Sequence, residues 1–210
     1  MTRREFLPAV ALASASITST QSPPAFELKP KHGRIKQSVC GSVFKRGTPF
    51  EEQCRLAAEL GFQGFDLQTP EQWPVLKKYG LVSAMTQGGG GKLTDALNDK
   101  ANHAAIEKAM RETIDKCAES GSPNLITFSG NRHGISDAQG MENCVLFLNK
   151  IKAQAEDKNV NVCMELLNSR VNHKDYQCDH VDWGVEVCKR VNSPRVKLLF
   201  DIYHMQIMDG

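Results

Sequence analysis

Asn124-Leu125-Ile126-Thr127-Phe128, Ser136-Asp137-Ala138-Gln139 and Asn161-Val162-Cys163-Met164-Glu165-Leu166 together decide the fold. The first and third are apolar runs of strand length. Between them, Ser136 is a helix cap, followed by Val145, Leu148, Ile151 and Ala155 at helical spacing. Strand, helix and strand in that order form a βαβ unit. Its two strands must pair in parallel, because a helical crossover returns the chain to the same edge of the sheet.

The unit recurs on both sides of this stretch. Upstream, Ile35–Cys40 reads as the first strand and Gly64–Leu67 as the second, with Leu81–Met85 as the third. Thr48-Pro49-Phe50-Glu51 and Thr69-Pro70-Glu71-Gln72 each supply a cap and a proline at the first helical position, and Gly61 and Gly80 stop the helices. A helix over about residues 99–119 carries Ile106, Met110, Ile114 and Cys117, and Gly121 ends it. Downstream, Asp179 is the expected cap of a helix through Val185, Cys188 and Val191, and Val196–Phe200 is the sixth strand. Gln87-Gly88-Gly89-Gly90-Gly91 lacks a phosphate-loop pattern and reads as a mobile loop. Six βα units in series predict an α/β fold around a parallel sheet.

The 210 residues are 40% hydrophobic and 24% charged, with 26 basic and 24 acidic side chains. A formal charge of +2 gives no field suited to nucleic acid, and no apolar run reaches the roughly 18 residues of a membrane span. Residues 1–33 read as an address and a linker. Arg3-Arg4-Glu5-Phe6-Leu7, an Ala-rich stretch and Ala13-Ser14-Ala15 resemble a twin-arginine export signal, which predicts a periplasmic protein. Residues 34–210 then form one domain. Seven cysteines, an odd number with no Cys-x-x-Cys pair, predict buried free thiols rather than a disulfide framework.

Functional groups in parallel α/β folds gather at the carboxyl ends of strands. Those ends carry Asp66, then Ser129-Gly130-Asn131-Arg132, then Glu165, then Asp201. Glu165 and Asp201 follow apolar runs on adjacent strands, where an unpaired charge is costly. They either share a hard divalent cation or pair with basic side chains. His204 is a candidate metal ligand, substrate donor or surface histidine. Arg132 either grips a carboxylate or phosphate or is a solvated loop residue, and Asn168 and Arg170 could face the same mouth. No His-x-x-x-His pair supports a zinc protease.

Phe200-Asp201-Ile202-Tyr203-His204-Met205-Gln206 resembles the strand-six motif of the hydroxypyruvate isomerase family, and Glu165-Leu166-Leu167-Asn168-Ser169-Arg170 is similar to its strand-five motif. Gly61–Leu67 is similar to the family's second-strand entry, with Asp66 where Glu is common. The resemblance implies a xylose isomerase-like (β/α)₈ TIM barrel with about six units present and the last two, which carry further metal ligands and a second catalytic Glu, missing. A closed barrel usually takes about 250 residues. It further implies one divalent metal (Mg, Mn or Zn) held by Glu165 and Asp201, with Glu165 also the catalytic acid/base. Substrate contacts fall to His204, Asn168, Arg132 and Arg170. The expected reaction is isomerisation of hydroxypyruvate or a related small sugar through an enediolate, impaired or lost if the chain ends at Gly210. Two other readings remain: an exported sugar-derivative epimerase or lyase, and a non-catalytic carbohydrate-binding barrel. Six histidines and the near-neutral charge speak against a multi-zinc nuclease of the same superfamily.

Overall fold

The computed structural model describes residues 35–210. The expected export signal and linker, residues 1–33, lie outside them. Six parallel strands alternate with six helices: β1 (Ser38–Val39), α1 (Phe50–Glu59), β2 (Gly64–Phe65), α2 (Trp73–Lys78), β3 (Val82–Ser83), α3 (His103–Ser120), β4 (Asn124–Thr127), α4 (Asp137–Asp157), β5 (Asn161–Glu165), α5 (Val181–Val191), β6 (Val196–Leu199) and α6 (Ile202–Met208). Strands pair in chain order within β1-β2-β3 and within β4-β5-β6. Thr86 joins the two sets: its N–H donates to the Asn124 carbonyl at 2.8 Å, and its carbonyl accepts from Ile126 N–H at 3.0 Å. These are six consecutive βα units of a TIM-barrel fold.

The alternation of side chains sorts each strand between two environments. Val162, Met164 and Leu166 point outward into a core shared with Ile114, Phe147, Leu148, Ile151 and Val187 from the surrounding helices. A smaller core of Val39, Cys54, Ala57, Phe65, Leu76 and Leu81 backs the first three strands. The intervening residues Ser38, Gly64, Asp66, Val82, Ala84, Glu165, Leu199 and Asp201 line the inside.

Three local expectations change. Thr48 does not cap α1; its hydroxyl donates to the Lys45 carbonyl, and Pro49 occupies the cap position. Asp179 does not cap α5, because its carboxylate is engaged by Arg132 and Ser169; Asp209, from the end of α6, accepts the Val181 N–H instead. The glycine run is a packed segment rather than a loose loop. A Cβ at Gly90 would lie 2.0 Å from the Ile126 carbonyl oxygen, so only glycine lets this backbone lie against β4. The seven cysteines are free thiols, and burial pushes the Cys163 thiol up to about 12.

Candidate active site

The inward residues surround an open cavity of about 960 Å³. It runs from Gln37, Gln63 and Asn124 at the amino ends of the strands to Asp66, Glu165 and Asp201 at their carboxyl ends. Parallel pairing places all three carboxylates at one end, each on the side of its strand turned from the helices.

Glu165 is the last residue of β5 and pairs in register with Leu199 of β6. Burial, and then the nearby Asp201 charge, push its carboxyl up to about 7. Among the described residues it has no basic partner within ion-pair distance. Asp201 begins α6, and its Oδ1 accepts the N–H groups of Tyr203 (2.8 Å) and His204 (3.2 Å), which satisfies two donors of the first turn. Its other oxygen stands 3.9 Å from His204 Nε2.

His204 is held from behind. Asn168 Nδ2 lies 2.6 Å from His204 Nδ1, and Asn168 Oδ1 accepts the N–H groups of Val171 and Asn172. An amide N–H can only donate, so Nδ1 accepts and the ring proton sits on Nε2, the nitrogen on the Asp201 side. The rings of His173 and Tyr203 each stand 5.1 Å from that of His204. Burial, and then His204, hold the His173 pKa below its usual value.

Asp66 sits elsewhere on the cavity wall. Ser38 Oγ donates to it at 2.6 Å, and burial raises its pKa against that hydrogen bond and one from the Met85 backbone.

A family model described as the xylose isomerase-like TIM barrel matches residues 54–210. The chain belongs to that family. Among curated proteins, this xylose isomerase-like barrel is 24% identical over 157 residues to a ketose 3-epimerase of Arthrobacter globiformis, covering 70% of this chain and 50% of the relative. It is 21% identical over 178 residues to a mouse (Mus musculus) protein provisionally named a hydroxypyruvate isomerase, covering 76% and 63%. The chain thus spans half to under two thirds of the length of these relatives. Among solved structures, a protein titled AP endonuclease family 2 from Brucella melitensis superposes with a TM-score of 0.70 at 24% identity, covering 84% of this chain and 72% of that one. At that identity the likeness concerns the fold.

In this barrel, Glu165, Asp201, Asn168 and His204 come together across β5, β6 and the first turn of α6. Arg132 and Arg170 are placed differently. The Arg132 guanidinium binds Asp137 and Asp179, each at 2.9 Å, and donates to the Tyr176 and Gln177 carbonyls. Arg170 donates to the Ile207 carbonyl at 2.8 Å and so ties the loop after β5 to α6. Neither lines the cavity, and nor do Asn168 and His204, which are buried beside Asp201. Asp66 stands at a strand end to which the sequence alone gives no role. His173, on the loop after β5, is brought to His204 by the fold, and no spacing in the sequence shows it.

Two carboxylates on adjacent strand ends, one without a basic partner, offer the hard oxygen donors that Mg²⁺, Mn²⁺ or Zn²⁺ accept. Among the described residues no three His, Cys, Asp or Glu side chains converge as a complete ligand set. Glu165 and Asp201 fit a divalent cation as part of a site. No described helix is long and apolar enough to cross a membrane.

Proposed function

We propose that this chain forms the proton-transfer half of an isomerase that moves a hydrogen between neighbouring carbons of a small sugar or hydroxy-keto acid, with hydroxypyruvate as the first substrate to try. One observation carries the reading: Glu165 lies at the strand carboxyl end of a substrate-sized cavity, partly buried and, among the described residues, without a basic partner. Such a carboxyl titrates near neutrality and can take a proton from one carbon and return it to the next. The tautomer of His204 turns its Nε2–H towards the Asp201 carboxylate, 3.9 Å away, and Asn168 keeps the ring from turning, so the pair orients Asp201. Asp201 is committed through one oxygen to the start of α6, which leaves the other free. A divalent cation held by Glu165 and Asp201 would supply Lewis-acid polarisation of a substrate carbonyl.

The ketose 3-epimerase relative favours a second reading, epimerisation beside a ketose carbonyl. It requires the same proton transfer and differs in where the proton returns. The resemblance of Arg3-Arg4-Glu5-Phe6-Leu7 to a twin-arginine signal supports export to the periplasm for either activity.

The test is deuterium incorporation from D₂O. Hydroxypyruvate and a set of ketoses would be incubated with the full-length protein and Mg²⁺, Mn²⁺ or Zn²⁺, and followed by NMR. Deuterium should enter at one carbon, and Glu165→Gln should slow its entry by about 10²–10⁴-fold. Undiminished exchange in Glu165→Gln would sink the assignment.

A further inference from the structure

The register of β4 and β5 contains an interruption at Glu165. Asn124 pairs with Asn161 and Thr127 with Met164, and Asn161 N–H donates to the Pro123 carbonyl at 2.9 Å. A parallel ladder repeats every two residues along each strand. From this register, the next rung after the last β4–β5 pair is Ser129 N–H to the Glu165 carbonyl. That rung is not made directly. The hydroxyl of Tyr176 stands in it, accepting the Ser129 N–H at 3.0 Å and donating to the Glu165 carbonyl at 2.8 Å. Two hydrogen bonds in series replace one, and the strand ends are spread by the width of an oxygen.

Tyr176 is fully buried, and its segment is pinned on both flanks. On the β4 side, Arg132 N–H donates to the Asp175 carbonyl at 2.8 Å, Gln177 N–H to Gly130 at 3.0 Å, and Cys178 N–H to Ser129 Oγ at 2.9 Å. On the β5 side, Leu167 N–H donates to the Cys178 carbonyl at 3.3 Å. The Arg132 guanidinium closes over the Tyr176 and Gln177 carbonyls. Residues 175–178 therefore form a wedge between the two strand ends, with the phenol at its tip.

We propose that Tyr176 is a positioning residue for Glu165: its hydroxyl is a spacer that keeps the Glu165 carbonyl from bonding β4 directly and so sets how the end of β5 presents the carboxylate to the cavity. The proposal rests on the acid/base reading of Glu165. Small displacements of a catalytic group cost rate out of proportion to their size, and Tyr176, fully buried behind the strand ends, does not line the cavity a substrate would enter. The loss should therefore fall on kcat.

Tyr176→Phe keeps the ring and removes the spacer's donor and acceptor. In the full chain, amide exchange at Ser129 should accelerate at least about tenfold. kcat for deuterium incorporation should fall about 10–100-fold, with KM within about twofold. Placing 4-aminophenylalanine at position 176, which restores a donor at the same reach, should recover most of the lost kcat. Unchanged kcat in Tyr176→Phe, or a loss the amino analogue does not repair, overturns the proposal. If Tyr176→Phe does not fold, the amino analogue decides alone: near-native kcat supports the spacer, and a folded protein with kcat lost overturns it. If the unsubstituted chain incorporates no deuterium, the functional reading has failed instead. Ser129 exchange then decides the spacer, which is supported by acceleration and overturned by its absence.

Discussion

The two halves of the sheet are built to different depths. β1, β2 and β3 pair over two residues each, behind a core of six buried side chains. β4, β5 and β6 pair over four residues each, behind a core that draws on α3, α4 and α5. The first half contributes one inward carboxylate at a strand end and the second contributes two, and Asp66 and Glu165 are treated oppositely. Asp66, in the shallow half, receives a serine hydroxyl and a backbone N–H. Glu165, in the deep half, receives the neighbouring charge of Asp201 and no basic partner among the described residues. The deeper scaffold carries the less compensated group. A rigid ladder can hold an unfavourable charge in place, and a buried acid without compensation is what a proton-transfer step requires.

The contrast should appear most strongly in the pH dependence of stability. Glu165 has an ordinary value of 4.5 and is raised to about 7 in the fold. Between those two values the unfolded chain has released its proton and the folded chain has not. Stability therefore falls as pH rises through that window, by up to about 3 kcal/mol. Asp66 contributes in the same direction. Denaturant titrations at pH 4.5 and pH 7.5 should show the loss, and Glu165→Gln should remove most of it. An equal slope in the variant would show that the strain lies elsewhere. Millimolar Mg²⁺, Mn²⁺ or Zn²⁺ should restore stability at the higher pH by binding the ionised pair.

The next effect concerns the wedge that separates the deep half's strand ends. Arg132→Ala leaves the Asp179 carboxylate, which is 5% exposed, with only Ser169 as a side-chain partner. The expected cost is about 2 kcal/mol, less than for a fully buried pair because the guanidinium is partly solvated. Measured by urea unfolding, that loss with KM unchanged would fix Arg132 as scaffold. A raised KM with stability intact would return it to the substrate.

These two residues also mark what the sequence could and could not reveal. The repeat of apolar run, cap and helix is local, so six βα units, and Glu165 and Asp201 at the ends of their strands, are readable from the sequence. The second strand stops short of the expected Gly64–Leu67 because Leu67, at φ 61°, leaves the strand conformation just after Asp66, a local feature of which the apolar run gives no sign. Spacing leaves Arg132 open between an anion grip and a solvated loop position, because its partner Asp179 is 47 positions away and comes into reach only through the tertiary fold. Tyr176 was invisible for the same reason: a hydroxyl inserted in a ladder leaves no spacing to read.

A third measurement compares the halves directly. Native-state amide exchange should be slower in β4–β6 than in β1–β3 by about tenfold or more, since two-residue ladders open locally at lower cost. Equal protection would show that the shallow half is tied to the deep one through Thr86 strongly enough to open only with it.

The smallest effect tests the compensation of Asp66. Ser38→Ala removes a 2.6 Å hydrogen bond to a carboxylate that is already raised by burial. Losing such a bond costs about 1 kcal/mol while the acceptor is ionised. The cost should shrink at low pH, where a protonated Asp66 no longer needs the donor. Removing that donor also raises the Asp66 carboxyl further, towards the condition Glu165 occupies across the cavity. A Ser38→Ala penalty that is larger at pH 7.5 than at pH 4.5 would therefore show that the shallow half stabilises its carboxylate by hydrogen bonding, where the deep half leaves its own exposed to a like charge. A penalty independent of pH would mean that Ser38 only fills space beside β2, and the difference between the two carboxylates would then rest on their burial, the Met85 backbone hydrogen bond and Asp201.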